Sequence, residues 1–141
     1  MPSRLTALGA HLVFERDGHL LLGKRGPGVS FAPDTWHLPA GQVEDESVRA
    51  CAVREAYEEL GVTLREADLQ LVHTVDAVSH IQLFFRVHHW TGEPALRGPH
   101  LCAGWSWWSR TALPEPLAGY ARTALEAITQ GWPYTSVGRA A

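Results

Sequence analysis

Residues Leu38 to Val62 read LPAGQVEDESVRACAVREAYEELGV, and this stretch decides how the rest of the chain is organised. From Ser47 to Leu60 it contains neither Gly nor Pro, and its pattern is helical. Ser47 stands where an N-cap residue belongs, and Gly61 where a glycine ends a helix. Pro39 biases Leu38 away from helix, so Trp36 to Pro39 is a short extended segment. Residues 40–46 then form a polar, acidic loop into the helix. At about 100° per residue, Glu55, Glu58 and Glu59 fall within an arc of about 100° on one side. Val48, Ala52, Val53, Ala56, Tyr57 and Leu60 take the neighbouring, apolar half.

Working outward, residues 5–15 are apolar and partly β-branched and read as a strand. Asp17-Gly18 is a hairpin turn signal, and His19 to Arg25 is the returning strand. Two glycines and two prolines make residues 26–34 a loop. Downstream, Leu69 to Asp76 and His80 to Trp90 read as antiparallel neighbours. Glu93-Pro94 and Gly98-Pro99 mark a loop, and Gly104 to Ser109 a further strand. Leu117, Tyr120, Ala121, Ala124, Leu125 and Ile128 recur at helical spacing, which predicts an amphipathic helix over 117–130, ended by Gly131. With no repeat or linker, residues 1–141 read as one domain. Strands with two helices give an α+β class, a mixed sheet sandwiched by helices.

Composition narrows the function. The chain has 141 residues, 45% hydrophobic and 19% charged, as in ordinary globular proteins. Its net charge of -3 argues against a module that grips DNA or long RNA. A small nucleotide substrate is still compatible, because a bound metal supplies local positive charge. No apolar run approaches the roughly 20 residues that span a bilayer, and the N-terminus lacks a signal-type apolar stretch, so a cytoplasmic location without membrane attachment is expected. Cys51 and Cys102 lie far apart in sequence. A disulfide is open on paper, reduced buried thiols are the simpler expectation, and the spacing does not suit zinc.

The acidic arc carries the chemistry. Three carboxylates at i, i+3 and i+4 repel one another, and they sit in the C-terminal half of the helix, where negative charge opposes the macrodipole. A bare E-x-x-E-E is most often a solvated face. A cluster that works against its own helix nevertheless invites a cation, and hard ions such as Mg²⁺, with Mn²⁺ as an alternative, prefer carboxylate oxygens. Arg54 can pair with Glu58 one turn on.

The flanks of the cluster resemble the signature of the Nudix hydrolase family: a Gly, five residues, a Glu, seven residues, then Arg-Glu-hydrophobic-x-Glu-Glu-x-Gly-hydrophobic. Glu46 and Arg54 have the seven intervening residues, and Arg54, Glu55, Glu58, Glu59, Gly61 and Val62 all match. Gly41 is followed by four residues before Glu46; counting five puts Ala40 in the glycine position. The resemblance implies a Nudix-like α/β/α sandwich and Mg²⁺-dependent cleavage of a diphosphate linkage. It implies Glu55, Glu58 and Glu59 as metal ligands, with the carbonyl of Gly41 or Ala40 facing a metal. Glu58 would share the work of base, Arg54 would orient it, and Glu46 would be a supporting carboxylate. Many family members carry a further acid in a later loop; the corresponding stretch from His100 to Trp105 has none, and Asp76 or Glu93 are alternatives.

For substrate contacts, Lys24 and Arg25 could meet phosphates, and Phe31 and Trp36 could stack on a base. Alternation puts Trp105 and Trp107 on one strand face, where core packing is the simpler expectation. The adjacent His88 and His89 point to opposite faces, which is poor for joint ligation. The expected substrate is a nucleoside diphosphate derivative, above all a nucleoside triphosphate, since the short chain lacks the extra domain of members with larger substrates. The alternative is a nucleotide-binding module with weak or no hydrolysis. A homodimer is compatible with the sequence.

Overall fold

In the computed structural model the described residues are 6–28, 33–97 and 102–138, apart from the side chain of Cys102. Phe31, named above as a stacking candidate, lies outside them.

Strand β1 (Ala7–Val13) is the spine of the fold. It pairs antiparallel with β5 (Ala40–Gln42) and parallel with β7 (His80–Val87). β7 pairs antiparallel with β6 (Leu69–Asp76), as expected, and β6 pairs parallel with β9 (Tyr134–Ser136). The resulting mixed sheet has the order β5-β1-β7-β6-β9. A second sheet is built on β3 (His19–Arg25), which pairs antiparallel with β2 (Glu15–Arg16), β4 (Trp36–His37) and β8 (Cys102–Ser109).

Helices cover the mixed sheet on both faces. Ala10, Leu12 and Phe14 share one core with Cys51, Ala52, Ala56 and Leu60 of the helical segment that begins with α1 (Val48–Glu55). Val13, Val75 and Phe84 share the other with Ala124 and Leu125 of α2 (Gly119–Gln130). The alternation of β1 thus sends neighbouring residues to opposite helices, which is the physical content of an α/β/α sandwich. No helix among the described residues is long and apolar enough to cross a membrane.

Ser47 caps α1, its side chain accepting from the Ala50 N–H at 3.1 Å, and Gly61 ends the segment at φ 73°. Four expectations need correction. Residues 40–42 form a strand and not a loop, because Ala40 and Gly41 lie opposite His11 and Ala10 and pair with an otherwise open edge of β1. The helix is not uniform: from Ala56 to Leu60 it widens into a π-helical turn. That widening carries Tyr57 out of the apolar half, and it is 54% exposed, with the Arg97 guanidinium 5.2 Å above its ring. The single N-terminal strand divides at Phe14, with Glu15–Arg16 joining the second sheet. Strand β7 stops at Val87, short of Trp90, and the three-residue β9 is too brief to leave a periodic signal in sequence.

Candidate functional site

Arg54, in the last turn of α1, organises the acidic cluster. Its guanidinium grips Glu46 through two bonds, Nε to Oε1 at 2.9 Å and Nη2 to Oε2 at 2.6 Å. Nη1 donates to Glu55 at 3.0 Å and to Glu58 at 3.1 Å, and Glu44 stands 3.5 Å from Nη2. One planar cation therefore holds carboxylates from the preceding loop and from the helix, a geometry that a lysine cannot reproduce. Beside Arg54 the Glu46 carboxyl drops to a pKa of about 2. The loop that is one residue short still delivers Glu46 to its partner.

The π-helical turn sets the second half of the cluster. It sets Glu59 beside Glu55, so that each carboxyl shifts the other. Burial, then the charge of Glu55, push Glu59 above the usual carboxylate range. The Ala40 N–H donates to Glu59 and works against that rise. Gly41 lies against Glu55 so closely that a Cβ built there would overlap the carboxyl. Glycine at position 41 thus leaves Glu55 the room it occupies.

As the side chains stand, no three His, Cys, Asp or Glu among the described residues converge at metal-ligand spacing. Arg54 holds Glu58 at 3.1 Å and Glu55 at 3.0 Å. The donors nevertheless fit a hard divalent cation. They are all carboxylate oxygens, the preference of such ions. Glu59 Oε2 is buried without a hydrogen-bond partner among the described residues, a costly arrangement that a bound cation would relieve.

A cavity of about 310 Å³ lies on the other side of β5. Its lining includes Gly9, His11, Gln82, Arg25, Gly41 and Tyr120. Ala40 and Gly41 belong to both features, so the cavity and the carboxylates are separated by one strand. His11 is buried, and burial brings its pKa down to about 4; the same cause, with Arg25 second, takes His37 to about 4.

The structure therefore gathers Arg54, Glu46, Glu55, Glu58, Glu59 and Gly41 into one place and sets Arg25 in the wall of the adjoining cavity. Lys24 and Trp36 do not line it. Lys24 is exposed, pointing away from Arg25 as strand alternation requires. Trp36 packs edge-on against Trp108 at 5.0 Å and belongs to the core under α2. Trp105 and Trp107 share a face, as expected, and pack on the core under α1. Asp76 accepts from the Tyr134 hydroxyl at 2.7 Å, and Glu93 pairs with Arg16 at 2.9 Å. Cys51 is a free, buried thiol, pushed up to about 12 by burial. His11 and Gln82 were not foreseen as cavity residues, and Tyr120 was read only as part of the apolar face of α2. The available signal for the first two was a polar residue set inside an apolar strand.

A profile of the NUDIX domain matches residues 4–128. The CTP pyrophosphohydrolase of Escherichia coli (strain K12) is 35% identical over 79 residues, 55% of this chain and 56% of that protein. The chain thus spans about half the length of the curated relative it matches. Among solved structures, the MutT NUDIX hydrolase from Burkholderia pseudomallei superposes with a TM-score of 0.78 at 30% identity, covering 86% of this chain and 96% of that one. The E. coli ORF135 protein, solved in solution, gives 0.71 at 28% identity, covering 89% and 90%.

Proposed function

The chain belongs to the NUDIX domain family, and from that premise we propose that it is a metal-dependent pyrophosphohydrolase of nucleoside diphosphate derivatives, with nucleoside triphosphates first among them. The observation that carries this reading is the Glu55–Glu59 pair, with one buried carboxylate oxygen unpartnered, one strand away from a cavity of nucleotide size. Glu55, Glu58 and Glu59, with the carbonyl of Gly41, would hold Mg²⁺ or Mn²⁺. Such an ion supplies positive charge against a diphosphate and makes a nearby water a stronger acid.

The chain's own residues supply the rest. Glu58, 55% exposed on its side chain, accepts the proton as a water adds to phosphorus. The bridging P–O bond breaks, and a nucleotide and a phosphorylated leaving group depart. Arg54 keeps Glu58 and Glu55 in position, and Glu46 holds Arg54. Arg25, in the cavity wall, supports the bound nucleotide.

A second reading, metal-dependent nucleotide binding without turnover, is favoured by one observation: the strand Cys102–Ser109 has no carboxylate to act as the later acid. Purified protein should be incubated with nucleoside triphosphates, nucleotide sugars, dinucleotides and capped RNA, with Mg²⁺ or Mn²⁺, and the products separated. CTP heads the panel, since the similar E. coli protein is a CTP pyrophosphohydrolase. Nucleotide products that require the metal support hydrolysis. Tight binding by calorimetry with no product from any compound supports the second reading.

A further inference from the structure

We propose that two copies of this chain pair through the outer edge of strand β9, antiparallel about Thr135, so that the mixed sheet runs on from one copy into the other. This goes beyond the reading of the site and does not depend on it.

The two edges of that sheet differ. β5 is engaged by the acidic cluster: the Ala40 N–H donates to Glu59, and the Gln42 carbonyl accepts from Arg54 at 3.4 Å. β9, at the other end, has β6 on one side only. The Pro133 carbonyl accepts from the Thr74 N–H, and the Val137 N–H donates to the Asp76 carbonyl, each at 2.9 Å. Alternation then turns the N–H and C=O of Tyr134 and Ser136 away from β6, out of the open edge.

Native sheets blunt such edges with a charge, a proline or a bulge. Residues 131–138, GWPYTSVG, carry no charged side chain. Pro133 does not serve, because the N–H it lacks belongs to the β6 side. The edge is also held in place. Buried His73 donates from Nδ1 to the Trp132 carbonyl at 2.7 Å, and its Nε2 lies 2.8 Å from the Thr135 hydroxyl. A strand fixed in this way loses little freedom on pairing. Along it Trp132, Tyr134 and Val137 are 59%, 55% and 44% exposed, and Trp and Tyr are the residues that interface hot spots favour.

A second copy is the occupant that this pattern fits. Antiparallel pairing about Thr135 sets Tyr134 opposite Ser136 of the second copy and Ser136 opposite its Tyr134, so each outward N–H meets an outward C=O. The same register puts a bulky ring beside a small side chain on both sides of the axis. Trp132 falls opposite Gly138, and Thr135 meets Thr135, a favourable cross-strand pair. One alignment thus satisfies the backbone and the side chains of both copies, as a two-fold contact requires.

The test is sedimentation velocity of the full chain across the micromolar range, where a small interface dissociates. The wild type is expected to move from monomer to dimer as concentration rises. Ser136→Ala keeps the outward N–H and should match it within about twofold. Ser136→Pro removes that N–H without touching a bond to β6, and should raise the dissociation constant about tenfold or more. Thr135→Cys reads the register. Across the axis the Cα atoms of such a pair stand about 4.5 Å apart, within disulfide reach. Mild oxidation should therefore link the copies of Thr135→Cys and leave the wild type unlinked. A wild type that stays monomeric at every concentration overturns the proposal and leaves the edge to an extended peptide of another protein. So does a dimer that Ser136→Pro, shown folded by its melting temperature, leaves unchanged. So does a Thr135→Cys protein that dimerises without cross-linking.

Discussion

Arg54 and Glu59 illustrate opposite kinds of cost at the residue scale. Arg54 is the shared counter-charge of Glu46, Glu55 and Glu58; removing it leaves like charges facing one another. Arg54→Ala is expected to lower the melting temperature by several degrees and to reduce turnover, and Arg54→Lys should recover little of either, because a point charge cannot bond three carboxylates at fixed angles. Glu59 is the reverse case, a buried carboxyl kept beside another carboxyl at a cost to stability. Glu59→Gln should leave the metal-free melting temperature unchanged or higher, while abolishing the rise that Mg²⁺ produces in the wild type by mass action. Thermal melts of both proteins with and without millimolar Mg²⁺ check this. An equal Mg²⁺ shift in the variant would remove Glu59 from the ligand set.

At the scale of elements, the segment from Ser47 to Gly61 couples two helical pitches. The α-helical part is fixed by its cap and its small residues, Cys51 and Ala52, which let it sit close on β1. The π-helical part depends on its ending: Gly61 takes φ 73°, and a Cβ there would meet the Arg97 side chain. Gly61→Ala should cost about 1–2 kcal/mol of stability, measurable by denaturant unfolding, from the left-handed backbone alone. Activity should fall as well, since the turn that unwinds is the one that carries Glu58 and Glu59. The cap, the terminating glycine and the order of carboxylates were all legible in sequence, because each is a local rule about neighbouring residues. The change of pitch was not, since Ala56 to Leu60 has no residue that distinguishes a π turn from an α turn. Strand Ala40–Gln42 was hidden for a related reason: its reason to be extended is the edge of β1, thirty residues away in sequence. Arg25 lines the cavity while Lys24 and Trp36 do not, a difference that was not legible because sequence gives the face of a strand but not what covers it.

The whole molecule carries its polar cavity as a cost that depends on pH. His11, in the cavity wall, is buried, and His37, outside it, is half-buried; each has a folded pKa of about 4 against the 6.5 of an exposed histidine. Their neighbours are Gln82 and Tyr120 for His11, and Arg25 and Leu38 for His37. The unfolded chain takes up these protons first, so the stability contributed by the neutral rings is complete above about pH 6.5 and is lost as pH falls toward 4. Glu59, whose pKa is raised, has the opposite sign and keeps a proton in the folded state that the unfolded chain has released. Glu55 is raised as well, so the two carboxyls offset part of the loss that the two histidines produce on acidification, and the His11 share is read by comparing the wild type with a His11 variant. Denaturant unfolding at pH 7, 6 and 5 in metal-free buffer checks it, and His11→Phe should flatten the slope.

We propose that the carboxylates of this helix make the molecule a hydrolase of diphosphates. It is tested most directly by following one nucleoside triphosphate by phosphorus NMR in the presence of Mg²⁺, with wild type and Glu58→Gln in parallel. New nucleotide and phosphate signals are expected with the wild type, appearing at least about a hundredfold more slowly with the variant, the usual weight of a general base. Equal rates for the two proteins would contradict it.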